Sequence, residues 1–160
     1  MTQDIRSQIK QKKPFTCHEE ELYLNIIRTA DQLQWKGMKL LAASNLSGTQ
    51  YNVLRILRGS LETGLPCGEI SERMLTRDSD ITRLLDRMEK TGFVTRNRGT
   101  KDRRVVTARI LPKGLEVLRQ LDEPMLHLHR SQLGHLDPKQ QESLIRLLEL
   151  ARDKLTEGDA

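Results

Sequence analysis

A mainly α-helical fold carrying one small β-hairpin is what this 160-residue sequence predicts. Three observations predict it. Apolar residues recur three and four positions apart through most of the chain, the period of helices buried on one face. Only two short runs, residues 93–98 and 105–111, are β-branched or alternate apolar with polar. The residues between those runs contain the glycine that a hairpin turn needs. Hydrophobic residues make up 36% of the chain and aromatics only 3%. The core must therefore come from Leu and Ile on helices, and some burial is expected to be completed between subunits.

The elements follow in chain order. Residues 1–15 are polar and basic and read as a flexible amino-terminal arm. Thr16 and Glu19 are spaced as a capping box, opening a helix expected to run to about Ser44. That helix carries one apolar stripe through Leu22, Ile26, Ala30, Leu33, Leu40 and Leu41, and a second through Leu24, Ile27, Trp35 and Met38. A helix apolar on two sides must be covered on two sides, one by its own domain and one by a sister subunit. Ser47 and Gln50 form a second capping box, before a helix with Tyr51, Val53, Leu54, Ile56 and Leu57 on its period. Residues 64–68 (GLPCG) read as a turn cluster.

Two short helices, 69–75 and 79–90, are separated by a few polar residues, which is the helix-turn-helix arrangement. Asp78, Ser79 and Asp80 are all competent N-caps for the second of them. Ile81, Leu84, Leu85 and Met88 give it a buried stripe; Thr82, Arg83, Asp86 and Arg87 are left outward. Gly92 is expected to end it in the left-handed region. Helix-turn-helix followed by a hairpin is a winged helix, placed here at residues 46–112. Beyond Pro112 one helix carries Leu115, Leu118, Leu121, Met125 and Leu128. Asp137, Pro138 and Gln140 open another with Leu144, Leu147, Leu148, Ala151 and Leu155. Residues 16–45 and 113–157 then read as dimerisation helices.

Charge narrows the function. A net charge of +5 and a pI near 9.4 point only weakly to a polyanionic partner. Placement says more. Between Phe93 and Arg104 the bases Arg96, Arg98, Lys101, Arg103 and Arg104 are answered by Asp102 alone, whereas the helix before them balances its charges. No apolar run approaches the roughly 20 residues that span a bilayer, and no apolar segment follows the basic start, so a soluble cytoplasmic protein is expected. Cys17 and Cys67 are too few for a disulfide framework and lack C-x-x-C spacing. His127, His129 and His135 have no H-x-x-x-H spacing, so no metal and no cofactor are expected. No nucleophile elbow, zinc-protease motif or phosphate loop occurs, which argues against an enzyme.

Residues 78–114 resemble the multiple-antibiotic-resistance regulator (MarR) family of winged-helix transcription factors. The likeness is carried by DITRLLDRMEKTGFVTR at 80–96, by the D-x-R of Asp102 and Arg104, and by the VVTARILPKG that follows. It implies a homodimer placing two helices and two wings on a pseudo-palindromic double-stranded DNA operator. It also implies a repressor released by a small aromatic or phenolic effector.

In such a site Ser79, Asp80, Thr82 and Arg83 face the major groove, with Arg83 suited to a guanine's two acceptors and Asp80 to a cytosine amino group. Arg77 and Arg87 suit phosphates. At the wing Arg104 is expected in the minor groove, Asp102 fixing the loop, and Arg98, Lys101 and Arg103 on phosphates. Trp35, Met38 and Tyr51 are the ligand-binding candidates by position. Cys17, at the start of the first long helix, meets a dipole that favours an anion, although Glu19, Glu20 and Glu21 oppose it. A redox switch through Cys17 is therefore one alternative. A winged-helix protein-interaction module without specific DNA binding is another, and the basic wing argues against it.

Overall fold

The computed structural model describes residues 4–76, 80–98 and 106–156. The chain divides into two compact units, Met1–Asp122 and Glu123–Ala160.

The first unit opens with α1 (Ile5–Gln8) and α2 (His18–Ala42). Residues 4–13, expected to be part of a frayed arm, include the helical turn α1. Asp4 caps it by accepting from the Ser7 N–H at 2.7 Å, and Ile5 is buried. A single well-placed cap and one apolar side chain are enough to seat the turn on α2. The expected Thr16–Glu19 capping box is also replaced. Cys17 is the N-cap of α2 and supplies no side-chain hydrogen bond, while Glu20 Oε2 reaches back one turn to accept from the Thr16 N–H at 2.8 Å. The helix ends at Ala42 rather than Ser44.

Next comes α3 (Gly48–Arg58), whose capping box forms as expected: Ser47 Oγ accepts from the Gln50 N–H at 3.1 Å and Gln50 Oε1 from the Ser47 N–H at 2.9 Å. Its inward side chains Val53, Leu54 and Leu57 are fully buried. Two residues beyond the turn at Gly64 form a strand, β1 (Leu65–Pro66), followed at once by α4 (Cys67–Glu72). Pro66 explains why α4 (Cys67–Glu72) begins earlier than its apolar spacing suggests. Its ring fixes an extended conformation favourable for an N-cap, so the helix starts at the next residue.

Then follow α5 (Ile81–Lys90), β2 (Val94–Arg98) and β3 (Val106–Ile110). The sheet has three strands in the order β1-β3-β2, all antiparallel, with Leu65 opposite Ala108 and Arg96 opposite Ala108 from the other side. The hairpin is therefore part of a larger sheet than the sequence suggests, because β1 is too short to show alternation. Gly64 makes the pairing possible: it has φ +68°, and a Cβ there would lie 2.5 Å from the Ala108 carbonyl oxygen. Side chains from α3, α4 and α5 meet the sheet in one core, with Ile70, Leu84, Leu85, Met88, Val94 and Ala108 at or near zero exposure. Each large member contributes about 2 kcal/mol by burial.

The helix α6 (Pro112–Leu133) starts in this unit, with Leu118 and Leu121 buried and proline at its first position as expected. The second unit holds the rest of α6 and α7 (Pro138–Thr156). Asp137 and Gln140 cap α7 reciprocally, at 3.0 Å in each direction. No residue from 138 to 155 is buried in the single chain.

Candidate nucleic-acid interface

The helix-turn-helix is built by α4 and α5. Its turn is tied to α3 by the Leu75 N–H, which donates to Asn52 Oδ1 at 2.8 Å. In α5 the three buried side chains Leu84, Leu85 and Met88 leave Thr82, Arg83 and Arg87 on the opposite, exposed face, as their spacing requires.

Asp80 is the N-cap of α5. Its Oδ1 accepts from the Arg83 N–H at 3.0 Å, and its Oδ2 lies 3.0 Å from Arg83 Nε. One carboxylate thus closes the helix and steers the guanidinium that was expected to read bases. Arg83 itself remains 83% exposed. At the other end Gly92 has φ +76°, and the Lys113 ammonium donates to the Thr91 carbonyl at 2.7 Å. A cation on the last carbonyls complements the helix dipole. Both termini of α5 are held from outside the helix.

Its flank is held as well. Arg96 on β2 donates its backbone N–H to Glu89 Oε1 at 2.8 Å, and its Nε and Nη2 to Glu89 Oε2 at 3.0 and 2.9 Å. The same Nη2 lies 2.5 Å from Asp86 Oδ1. Hydrogen bonds from the Arg96 side chain and backbone hold the Glu89 carboxyl below the usual glutamate range. Arg96, one of the five bases between Phe93 and Arg104, is 22% exposed and committed to two carboxylates of α5. Asp86, read as outward, belongs to this cluster. A signal for it was present in the sequence, since Asp86 and Glu89 lie three apart on one helix edge, just before a glycine turn that brings a strand alongside.

Arg77, Ser79, Lys101, Asp102, Arg103 and Arg104 lie outside the described residues, as does the side chain of Arg98, whose backbone ends β2.

The ligand candidates differ in burial, and none of the three lines the cavity at the start of α2. Trp35 and Met38 are exposed on α2, with the Lys39 ammonium 5.0 Å over the Trp35 ring. Tyr51 is buried on α3 under the Arg55 guanidinium, and burial pushes its phenol up. That open cavity of about 480 Å³ lies where α1 approaches the start of α2, lined by Arg6, Phe15, Cys17 and His18 among others. The Cys17 thiol there is exposed. Cys67 is half-buried, and burial pushes its thiol up despite the opposing field of Arg96. Among the described residues no group of three His, Cys, Asp or Glu side chains could hold a metal ion, and no helix is long and apolar enough to cross a membrane.

Residues 46–106 match the model of the MarR family. The HTH-type transcriptional regulator YfiV of Bacillus subtilis is 34% identical over 127 residues, covering 77% of this chain and 74% of its own. The chain belongs to the MarR family. Its fold agrees with that of a MarR transcription factor from Planctomyces limnophilus, 37% identical, at a TM-score of 0.65 over 88% of this chain and 99% of the other. It also agrees with Sco3205, a MarR family regulator from Streptomyces coelicolor solved in complex with DNA. That protein is 25% identical, with a TM-score of 0.80 over 94% of this chain and 96% of the other. The MarR relatives are transcriptional regulators and not enzymes.

Proposed function

We propose that this MarR-family chain is a homodimeric, sequence-reading double-stranded DNA-binding regulator, acting as a repressor released by a small aromatic or phenolic effector. The observation that carries the DNA reading is α5 itself. It is anchored by a buried stripe, held at both ends, and presents Thr82, Arg83 and Arg87 to solvent. A rigid helix with an exposed arginine at its amino-terminal end suits the major groove, where a bidentate arginine–guanine pair is worth about 1–3 kcal/mol of discrimination. In this reading Ser79 and Asp80 join Thr82 and Arg83 in the major groove, Arg77 and Arg87 meet phosphates, Arg104 enters the minor groove, and Arg98, Lys101 and Arg103 meet the DNA backbone, with Asp102 fixing the wing. The DNA complex of the related Sco3205 supports this reading.

Dimerisation is supported by α2. Of its 25 residues only Leu41 is buried, while Leu22, Tyr23, Ile27, Trp35 and Met38 are all at least half exposed. A helix that leaves most of both apolar stripes uncovered within one chain needs a partner. A second copy, with its own α2, α6 and α7, supplies one of matching chemistry. It also sets two copies of α5 on one duplex, at the spacing that symmetric half-sites require.

Footprinting on the region upstream of the gene, followed by fluorescence anisotropy on the protected duplex, tests the reading. Arg83→Ala is expected to weaken binding to the protected sequence about tenfold or more, and to narrow the gap between it and random DNA. Absent or salt-insensitive binding by the wild-type chain would favour the protein-interaction alternative instead.

A further inference from the structure

Arg96 has a geometry that direct DNA contact does not explain. Its guanidinium is turned back onto α5, donating two hydrogen bonds to the Glu89 carboxylate and pairing with Asp86, while its backbone N–H donates a third to Glu89. The neighbouring backbone adds one more tie, from the Phe93 N–H to the Met88 carbonyl at 3.0 Å. Together these fix the angle at which β2 leaves the helix. We propose that Arg96 is a positioning residue of the DNA-reading head: braced by Asp86 and Glu89, it holds β2 on the flank of α5 so that helix and hairpin approach the duplex as one body. The proposal rests on the DNA-binding reading above.

The chemistry explains why arginine is required. Only a planar fork satisfies two carboxylates while its own backbone N–H bonds to one of them; an ammonium is a point charge without fixed direction. The brace also predicts an effect opposite in sign to simple electrostatics. Asp86 and Glu89 are acids on the helix that would face DNA. Removing their charge should strengthen binding if charge alone mattered. If they are the far side of a brace, removing it should weaken binding.

The test uses the full-length chain and a fluorescein-labelled duplex of the gene's own upstream region. Affinity is measured at several salt concentrations for wild type, Arg96→Gln, Arg96→Lys, and the double variant Asp86→Asn with Glu89→Gln. Circular dichroism confirms that each variant is folded, and amide exchange follows residues 94–98. The expected result is about a tenfold loss of affinity in all three variants, with faster exchange in β2. Arg96→Lys should be as impaired as Arg96→Gln. The slope of log affinity against log salt should fall by more than the roughly 0.9 that one lost phosphate contact accounts for.

Tighter binding by the double variant would overturn the brace. So would rescue by Arg96→Lys together with a slope change of a single phosphate in Arg96→Gln, which would make Arg96 a direct contact. Wild-type affinity in every variant would overturn the brace and leave the DNA-binding reading standing. Failure of the wild-type chain to bind with salt sensitivity would overturn both.

Discussion

A methyl group on Gly114 would lie 2.8 Å from the Phe93 carbonyl oxygen, 2.9 Å from Ile110 Cγ1 and 3.0 Å from Leu54 Cδ2. The glycine that ends the VVTARILPKG stretch is thus explained by packing: the first turn of α6 rests directly on the end of β3, on the residue before β2 and on α3. Neither the oxygen nor the fully buried Leu54 can retreat cheaply. Gly114→Ala is expected to cost about 1–3 kcal/mol by overpacking. A thermal melt should show a fall of several degrees, at roughly 2–4 °C per kcal/mol for a chain of this size. An unchanged melting temperature would mean that α6 can shift without loss. At this scale the sequence was partly readable. Caps built from neighbouring residues, such as Ser47 with Gln50 and Asp137 with Gln140, are present as their spacing demands. Asp80 takes the capping role that its position allows and also pairs with Arg83.

Between elements, the joint of α5 and β2 carries a pH dependence of definite sign. The Glu89 carboxyl titrates below its ordinary value because Arg96 hydrogen-bonds its ionised form. Its stabilising contribution is therefore complete above the unfolded value, about 4.3, and is lost as pH falls through the lower folded value. Wild type should melt above Glu89→Gln at pH 7, and the gap should close as the pH is taken to about 3. A gap that survives in acid would point to a misfit of the amide and not to the lost charge. Partial exposure keeps the effect small and salt-dependent.

Legibility at the scale of elements follows the range of the interaction that defines each one. The helices α3, α5, α6 and α7 declare themselves by period and local caps. The strand β1 does not, because two residues have no period and its partner Ala108 lies more than forty positions away. The Arg96 brace is intermediate: all three residues fall within one short stretch, but only the turn at Gly92 brings them together.

For the whole molecule the decisive feature is uncovered apolar surface. In the second unit Leu144, Ile145, Leu147, Leu150 and Leu155 are exposed along α7. Composition anticipated that burial would be completed elsewhere, and the single chain leaves that expectation for a second copy to meet. Leu147 is 63% exposed, so Leu147→Glu should leave the fold of one chain intact. Light scattering is expected to give twice the 18.5 kDa chain mass for wild type and a single chain for the variant. DNA affinity should fall with it, since linked half-sites bind far more tightly than separate ones. A variant that keeps the doubled mass would exclude α7 from the interface.

The proposed dimer requires association through helices without association through strands. In the β1-β3-β2 sheet the outer strands are β1 and β2. The first is two residues long and ends in Pro66, which has no N–H to offer. On the second, the Arg96 N–H is already taken by Glu89. An open edge is a template for edge-to-edge aggregation. The Glu89 carboxylate that holds β2 therefore also occupies a backbone donor to which a stray strand from another molecule would otherwise pair, which leaves the helical faces as the open surfaces for the proposed dimer.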